Sequence, residues 1–166
     1  MNNIKVLVVD DNQELVSEIK EYFSDHANIN VSLEAYDGEI ALKLIKEYKS
    51  DYDVVILDLV MPKKDGLDVL EEISKWNLNK KIIVISSYNS DEMIRKVSNY
   101  GIDYYLTKPF EMSNLEKKIL SCFDYKKNNR IVDIFHYNLQ YLHIFVYHSY
   151  CQKQYKHYHH SFLLLI

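Results

Sequence analysis

The stretch Asp53-Val-Val-Ile-Leu-Asp58-Leu-Val-Met-Pro62-Lys-Lys-Asp-Gly66 constrains this chain more than any other. Residues 54–57 form a short apolar, β-branched run without helical period, the pattern of a strand buried on both faces. Such strands belong to parallel sheets covered by helices, and the carboxyl edge of those sheets is where ligands bind. This strand ends on an acid, Asp58, and a Met61-Pro62 turn and an Asp65-Gly66 pair follow closely. A lone Asp can also be no more than a polar residue leaving the core, so the other strand ends decide.

From the start, residues 4–9 are a first apolar strand ending in Asp10-Asp11, and Asp11 or Asn12 can cap the helix that follows. Leu15, Ile19, Tyr22 and Phe23 recur there at helical spacing. Residues 30–34 read as an edge strand, and Asp37-Gly38 turns the chain into a second helix with Ile40, Ala41, Leu44, Ile45 and Tyr48 on one face. After the central strand, a third helix carries Leu67, Leu70, Ile73 and Trp76. Residues 82–85 are a fourth strand ending in Ser86-Ser87. Ser90 or Asp91 then starts a helix with Met93, Ile94, Val97 and Tyr100 that Gly101 stops in the left-handed conformation. Residues 103–106 are a fifth strand running into Thr107-Lys108-Pro109, and a last helix carries Leu115, Ile119, Cys122 and Phe123. Five strands alternating with five helices through short loops predict a flavodoxin-like, doubly wound (βα)5 parallel sheet of strand order 2-1-3-4-5.

Composition narrows the function. Residues 1–124 hold 15 Lys/Arg against 23 Asp/Glu, a net of −8, and residues 125–166 hold 5 against 1, a net of +4; together they give the −4 of the whole chain. An acidic body is poorly suited to gripping nucleic acid by its phosphates. Two cysteines, Cys122 and Cys151, suggest no disulfide framework, and the opening residues lead straight into a strand, so a reducing cytoplasm without a signal peptide is the expectation. No apolar run approaches the roughly 20 residues of a membrane span. The domain boundary is placed between residues 124 and 125, where composition shifts: the tail holds six of the seven His and seven of the 15 Tyr, and no Gly or Pro.

A parallel sheet brings its strand carboxyl ends together, so Asp10, Asp11, Asp58, Ser86 and Lys108 converge. Three carboxylates held close repel one another, and a hard divalent cation, Mg²⁺ or else Mn²⁺ or Ca²⁺, offsets that repulsion. Cation, ammonium and hydroxyl would each neutralise one oxygen of a transferred phosphoryl group while Asp58 attacks phosphorus in line. A merely structural Lys–Asp ion pair is the alternative.

These residues, with Met61-Pro62, Asp65-Gly66, Tyr105 and Lys108-Pro109-Phe110, resemble the receiver domain of two-component response regulators over residues 3–123. The resemblance implies that Asp58 is the phosphoacceptor and that Asp11, Asp58 and the backbone carbonyl of Val60 bind Mg²⁺ directly, with Asp10 acting through water. It implies that Lys108 pairs with a phosphoryl oxygen before a cis bond to Pro109. It further implies that Ser86, where the family more often has Thr, and Tyr105 form the switch pair that biases the surface of the fourth helix, fifth strand and fifth helix. The implied donor is a histidine kinase or phosphotransfer protein, the implied output a phosphorylation-dependent homodimer or other partner, and the chemistry self-catalysed transfer and slow hydrolysis rather than metabolic turnover. Val60 and Tyr88, each two residues beyond a site residue, are bulky and should shield the phosphoryl group from water.

Residues 62–71 and 103–112 are similar to the receiver of the stage-zero sporulation regulator A family, whose DNA-binding effector domain is expected to be missing here. A phosphorylatable signalling switch of a two-component system or phosphorelay, fed by a phosphohistidine donor, is the leading expectation. A truncated transcriptional regulator that has lost its effector domain is the alternative, and a non-phosphorylated docking module a third. Residues 125–166 are expected to be a linker and an aberrant tail, a frame-shifted or truncated remnant, with an amphipathic dimerisation helix as the competing view. Its His157, His159 and His160 lack the defined frame that a metal site requires.

Overall fold

A computed structural model describes residues 3–76 and 78–123. The expectations for residues 125–166 lie outside these. The elements are β1 (Ile4–Val9), α1 (Gln13–Tyr22), β2 (Ile29–Ala35), α2 (Gly38–Glu47), β3 (Val54–Asp58), α3 (Gly66–Ser74), β4 (Lys81–Ser86), α4 (Asp91–Ser98), β5 (Tyr104–Thr107) and α5 (Met112–Ser121). All strand pairings are parallel and the order is β2-β1-β3-β4-β5, so the expected flavodoxin-like topology is the observed one.

The period of two along the strands sorts side chains into two cores. Leu7, Val9, Val55, Leu57 and Val84 face α2, α3 and α4, where they meet Ala41, Ile45, Val69, Leu70, Ile73 and Val97. Val6, Val8, Val54, Ile56, Ile83 and Ile85 face α1 and α5, where they meet Val16, Ile19, Phe23, Leu115 and Ile119. Every residue of β3 is buried, which is why its sequence shows no polar alternation. Each such Leu, Ile or Val removed from water is worth about 1.5–3 kcal/mol. At the amino-terminal edge, Asp53 and Asp103, immediately before β3 and β5, accept the amides of Lys5 and Ile82 at 3.0 and 2.9 Å and align neighbouring strands.

The helix starts follow capping chemistry. Asn12 accepts from the amides of Glu14 and Leu15, Asp37 from Ile40, Asp65 from Asp68 and Ser90 from Met93. Of the alternatives open in the sequence, Asn12 and Ser90 are the caps; Asp65 and Asp68 form a reciprocal capping box that the sequence reading missed. Gly101 has a φ of 76°, the left-handed stop expected after α4. Three residues assigned to the apolar faces stand out as corrections: Tyr22, Ile40 and Tyr48 are 42, 41 and 43% exposed. A helix turned by 100° per residue spreads its apolar stripe, and residues on its margin reach water while Ile19, Ala41 and Ile45 take the centre. Trp76 and Tyr100 lie beyond the ends of α3 and α4 but still pack against the core.

Candidate functional site

The carboxyl ends of β1, β3, β4 and β5 place Asp10-Asp11, Asp58, Ser86 and Lys108 along one edge. Asp10, Asp58 and Ser86 are buried and Asp11 is exposed. Carboxylate oxygens of Asp10, Asp11 and Asp58 all lie within 4.8 Å of one another. The Lys108 ammonium reaches over from beyond β5, 2.6 Å from Asp10 Oδ2 and 3.1 Å from Asp58 Oδ2. Its own amide donates to the Ser86 carbonyl at 2.8 Å, and the Lys108–Pro109 peptide bond is cis.

Local hydrogen bonds fix the acids. Asp10 Oδ1 accepts from the Asn12 amide at 2.9 Å, and Asp58 Oδ1 from the Leu59 amide at 2.8 Å. Burial pushes the Asp58 carboxyl up from its usual range; the Lys108 charge opposes that shift and the nearby Asp10 adds to it. Three carboxylates against one ammonium leave two negative charges uncompensated, which one divalent cation would cancel. The donors are all hard oxygens, so the set fits Mg²⁺ chemistry and not that of a soft thiophilic metal.

Ser86 Oγ accepts from the Tyr88 amide at 3.2 Å, and the Tyr105 hydroxyl donates to the Tyr88 carbonyl at 2.7 Å. Ser86 and Tyr105, remote in sequence, are therefore joined through one loop residue. Burial raises the Tyr105 phenol above its ordinary value. Val60 and Tyr88, two residues past Asp58 and Ser86, are 48 and 49% exposed, so both side chains reach the surface.

Two features escaped the sequence reading. The Lys63 ammonium lies 2.5 Å from Asp37 Oδ2, tying the β3–α3 loop to the start of α2. Both Asp-Gly pairs also combine a helix cap with a close backbone approach: a Cβ on Gly38 would fall 2.3 Å from the Lys64 carbonyl oxygen, and one on Gly66 would fall 2.2 Å from that of Asp58. The recurrence of Asp-Gly just before two helices was the available signal.

The model of the response regulator receiver domain matches residues 6–120. Among solved structures, the receiver domain of the Francisella response regulator 1452 is 36% identical, with a TM-score of 0.67 over 76% of this chain and 99% of that one. CheY in the CheX–CheY–BeF3–Mg²⁺ complex from Borrelia burgdorferi is 28% identical, with a TM-score of 0.69 over 74% of this chain and 90% of that one. A DNA-binding response regulator of the LuxR family from Staphylococcus aureus is 29% identical, with a TM-score of 0.65 over 71% of this chain and 97% of that one. With the acids, hydroxyl and ammonium gathered at the edge of this sheet, the chain belongs to the response regulator receiver domain family.

Proposed function

We propose that the chain is the phosphoacceptor of a two-component system or phosphorelay, taking a phosphoryl group on Asp58 from a phosphohistidine of a kinase or phosphotransfer protein. The observation that carries this reading is the Lys108 ammonium bridging Asp10 and Asp58 inside the three-carboxylate cluster. An Asp58 oxygen attacks phosphorus, the phosphorus–nitrogen bond breaks, and its electron pair leaves with the imidazole. Lys108 and the Ser86 hydroxyl each donate to an oxygen of the transferred group. Asp11, Asp58 and the Val60 carbonyl would hold Mg²⁺, with Asp10 beside them, and a bound ion would supply charge neutralisation to the transferred group.

The switch follows from the link between Ser86 and Tyr105 through Tyr88. Drawing the Ser86 hydroxyl toward a phosphoryl oxygen disturbs the loop that Tyr105 bonds, and so biases the α4–β5–α5 surface toward a partner or a second phosphorylated copy. The similarity of residues 62–71 and 103–112 to sporulation regulator receivers supports a sporulation-type relay in the cytoplasm. The net −8 of residues 1–124 speaks against the alternative, direct DNA binding.

The test is mass spectrometry of the purified full chain with acetyl phosphate and Mg²⁺. A single phosphoryl gain that is lost in Asp58→Asn is expected; no gain, or one that survives the substitution, refutes the proposal. Size-exclusion of the same samples reports phosphorylation-dependent association, and a duplex-binding assay is expected to show no sequence-specific complex.

A further inference from the structure

The loop between β3 and α3 is closed at its base, where the Leu59 carbonyl accepts from the Gly66 amide at 3.0 Å. At its far side Lys63 has a φ of 67°. That left-handed conformation is disfavoured for a lysine, which has no short polar side chain to bond its own backbone. Strained residues of this kind persist where surrounding contacts over-determine them. Two contacts do so here, and both come from α2.

The first is the Lys63 ammonium on Asp37 Oδ2 at 2.5 Å. Asp37 is itself fixed: its side chain is buried, and its other oxygen accepts from the Ile40 amide at 2.8 Å as the cap of α2. The second is the neighbouring residue, Lys64, whose backbone rests on Gly38 so closely that a Cβ there would clash with it. Adjacent loop residues are thus anchored on adjacent residues of a rigid helix start. The loop so held is the one that carries Val60 and begins directly after Asp58.

We infer that Lys63 and Asp37 are positioning residues: they clamp the β3–α3 loop, which begins directly after Asp58 and carries the Val60 carbonyl assigned to the cation above, and thereby set the affinity of the cluster for a divalent cation. The inference rests on the reading of Asp10, Asp11 and Asp58 as a cation site given above. It makes a prediction opposite in sign to simple electrostatics. Removing the Lys63 charge exposes Asp37 as an uncompensated negative charge at the same edge of the sheet, which by Coulomb attraction alone should tighten cation binding. Loss of the clamp should weaken it, as loss of outer contacts to metal ligands does elsewhere.

The experiment is calorimetric titration of the full chain with Mg²⁺ alone, for wild type, Lys63→Asn and Lys63→Arg, with thermal unfolding followed in parallel. Asn tolerates the left-handed backbone but cannot reach Asp37, so Lys63→Asn separates the clamp from the strain. Roughly tenfold weaker Mg²⁺ binding in Lys63→Asn, at the low end of what outer-contact losses produce, with recovery in Lys63→Arg, is expected. Binding in Lys63→Asn equal to or tighter than wild type overturns the inference while leaving the cation site intact. A wild type that binds no Mg²⁺ overturns it together with the cation-site reading.

Discussion

Gly66 lies against the backbone of Asp58: a Cβ on Gly66 would stand 2.2 Å from the Asp58 carbonyl oxygen and 2.7 Å from Leu59 Cα. Both obstacles are main chain at the end of a fully buried strand, so neither can rotate away. The first turn of α3 and Asp58 are consequently set against each other, and the glycine is required for space.

Gly66→Ala should therefore destabilise the protein by about 1–3 kcal/mol, the range for overpacking a dense site. Because the strain falls on the end of β3, the rate of phosphorylation by acetyl phosphate should fall as well. Chemical denaturation and the mass-spectrometric time course check the two effects, and an alanine variant of unchanged stability would contradict the packing argument.

Asp58 is buried beside Asp10, and burial raises its pKa. Asp58→Asn removes a buried charge while leaving the Lys108–Asp10 pair in place. A higher melting temperature at neutral pH is expected, by roughly 2–4 °C per kcal/mol gained for a chain of this length. Mg²⁺ should raise the melting temperature of wild type and do so much less in the variant, since a ligand stabilises only the state that binds it. Differential scanning calorimetry with and without Mg²⁺ reads both.

Asp37 carries the opposite shift. The Ile40 amide, first, and the Lys63 ammonium hold its carboxyl below the ordinary value of 3.8. A depressed folded pKa contributes stability above the unfolded value and loses it as pH falls through the folded one. Asp37→Asn, which retains the cap but not the charge, should be less stable than wild type at pH 7, and the two should converge once the pH has dropped below Asp37's lowered value. Asp37→Ala should cost about 1 kcal/mol more through loss of the cap. Urea denaturation across the acid range tests the convergence.

Val60 and Tyr88, two residues past Asp58 and Ser86, present exposed side chains at the surface. Their bulk should hinder the approach of water to a phosphoryl group on Asp58. A long-lived aspartyl phosphate is expected in wild type, and Val60→Asn combined with Tyr88→Ala should shorten its lifetime by about tenfold, or roughly 1.4 kcal/mol of barrier. Decay followed by mass spectrometry after removal of the donor decides it; equal lifetimes would sink the shielding argument.

Much of this molecule was written locally. Unbroken apolar runs at residues 6–9, 54–57 and 82–85 mark strands buried on both faces, because a strand with helices above and below has no polar side to show. Alternation with capped helices then leaves few topologies, and the parallel arrangement alone brings Asp10, Asp11, Asp58, Ser86 and Lys108 to one edge. Helix margins were less legible, as exposed Tyr22, Ile40 and Tyr48 show, because an apolar residue at helical spacing does not say how wide the covered stripe is.

What the sequence by itself determined was the order of the elements and the chemical identity of the groups at their ends, since both follow from periodicity, capping and turn chemistry within a few residues. Only the tertiary structure decided that Lys63 adopts a left-handed backbone and reaches Asp37, that Gly38 and Gly66 leave room for Lys64 and Asp58, and that Lys108 spans two carboxylates. Those relationships join residues distant in sequence at distances of a few ångströms. Packing sets such distances, and no local pattern of side chains encodes them.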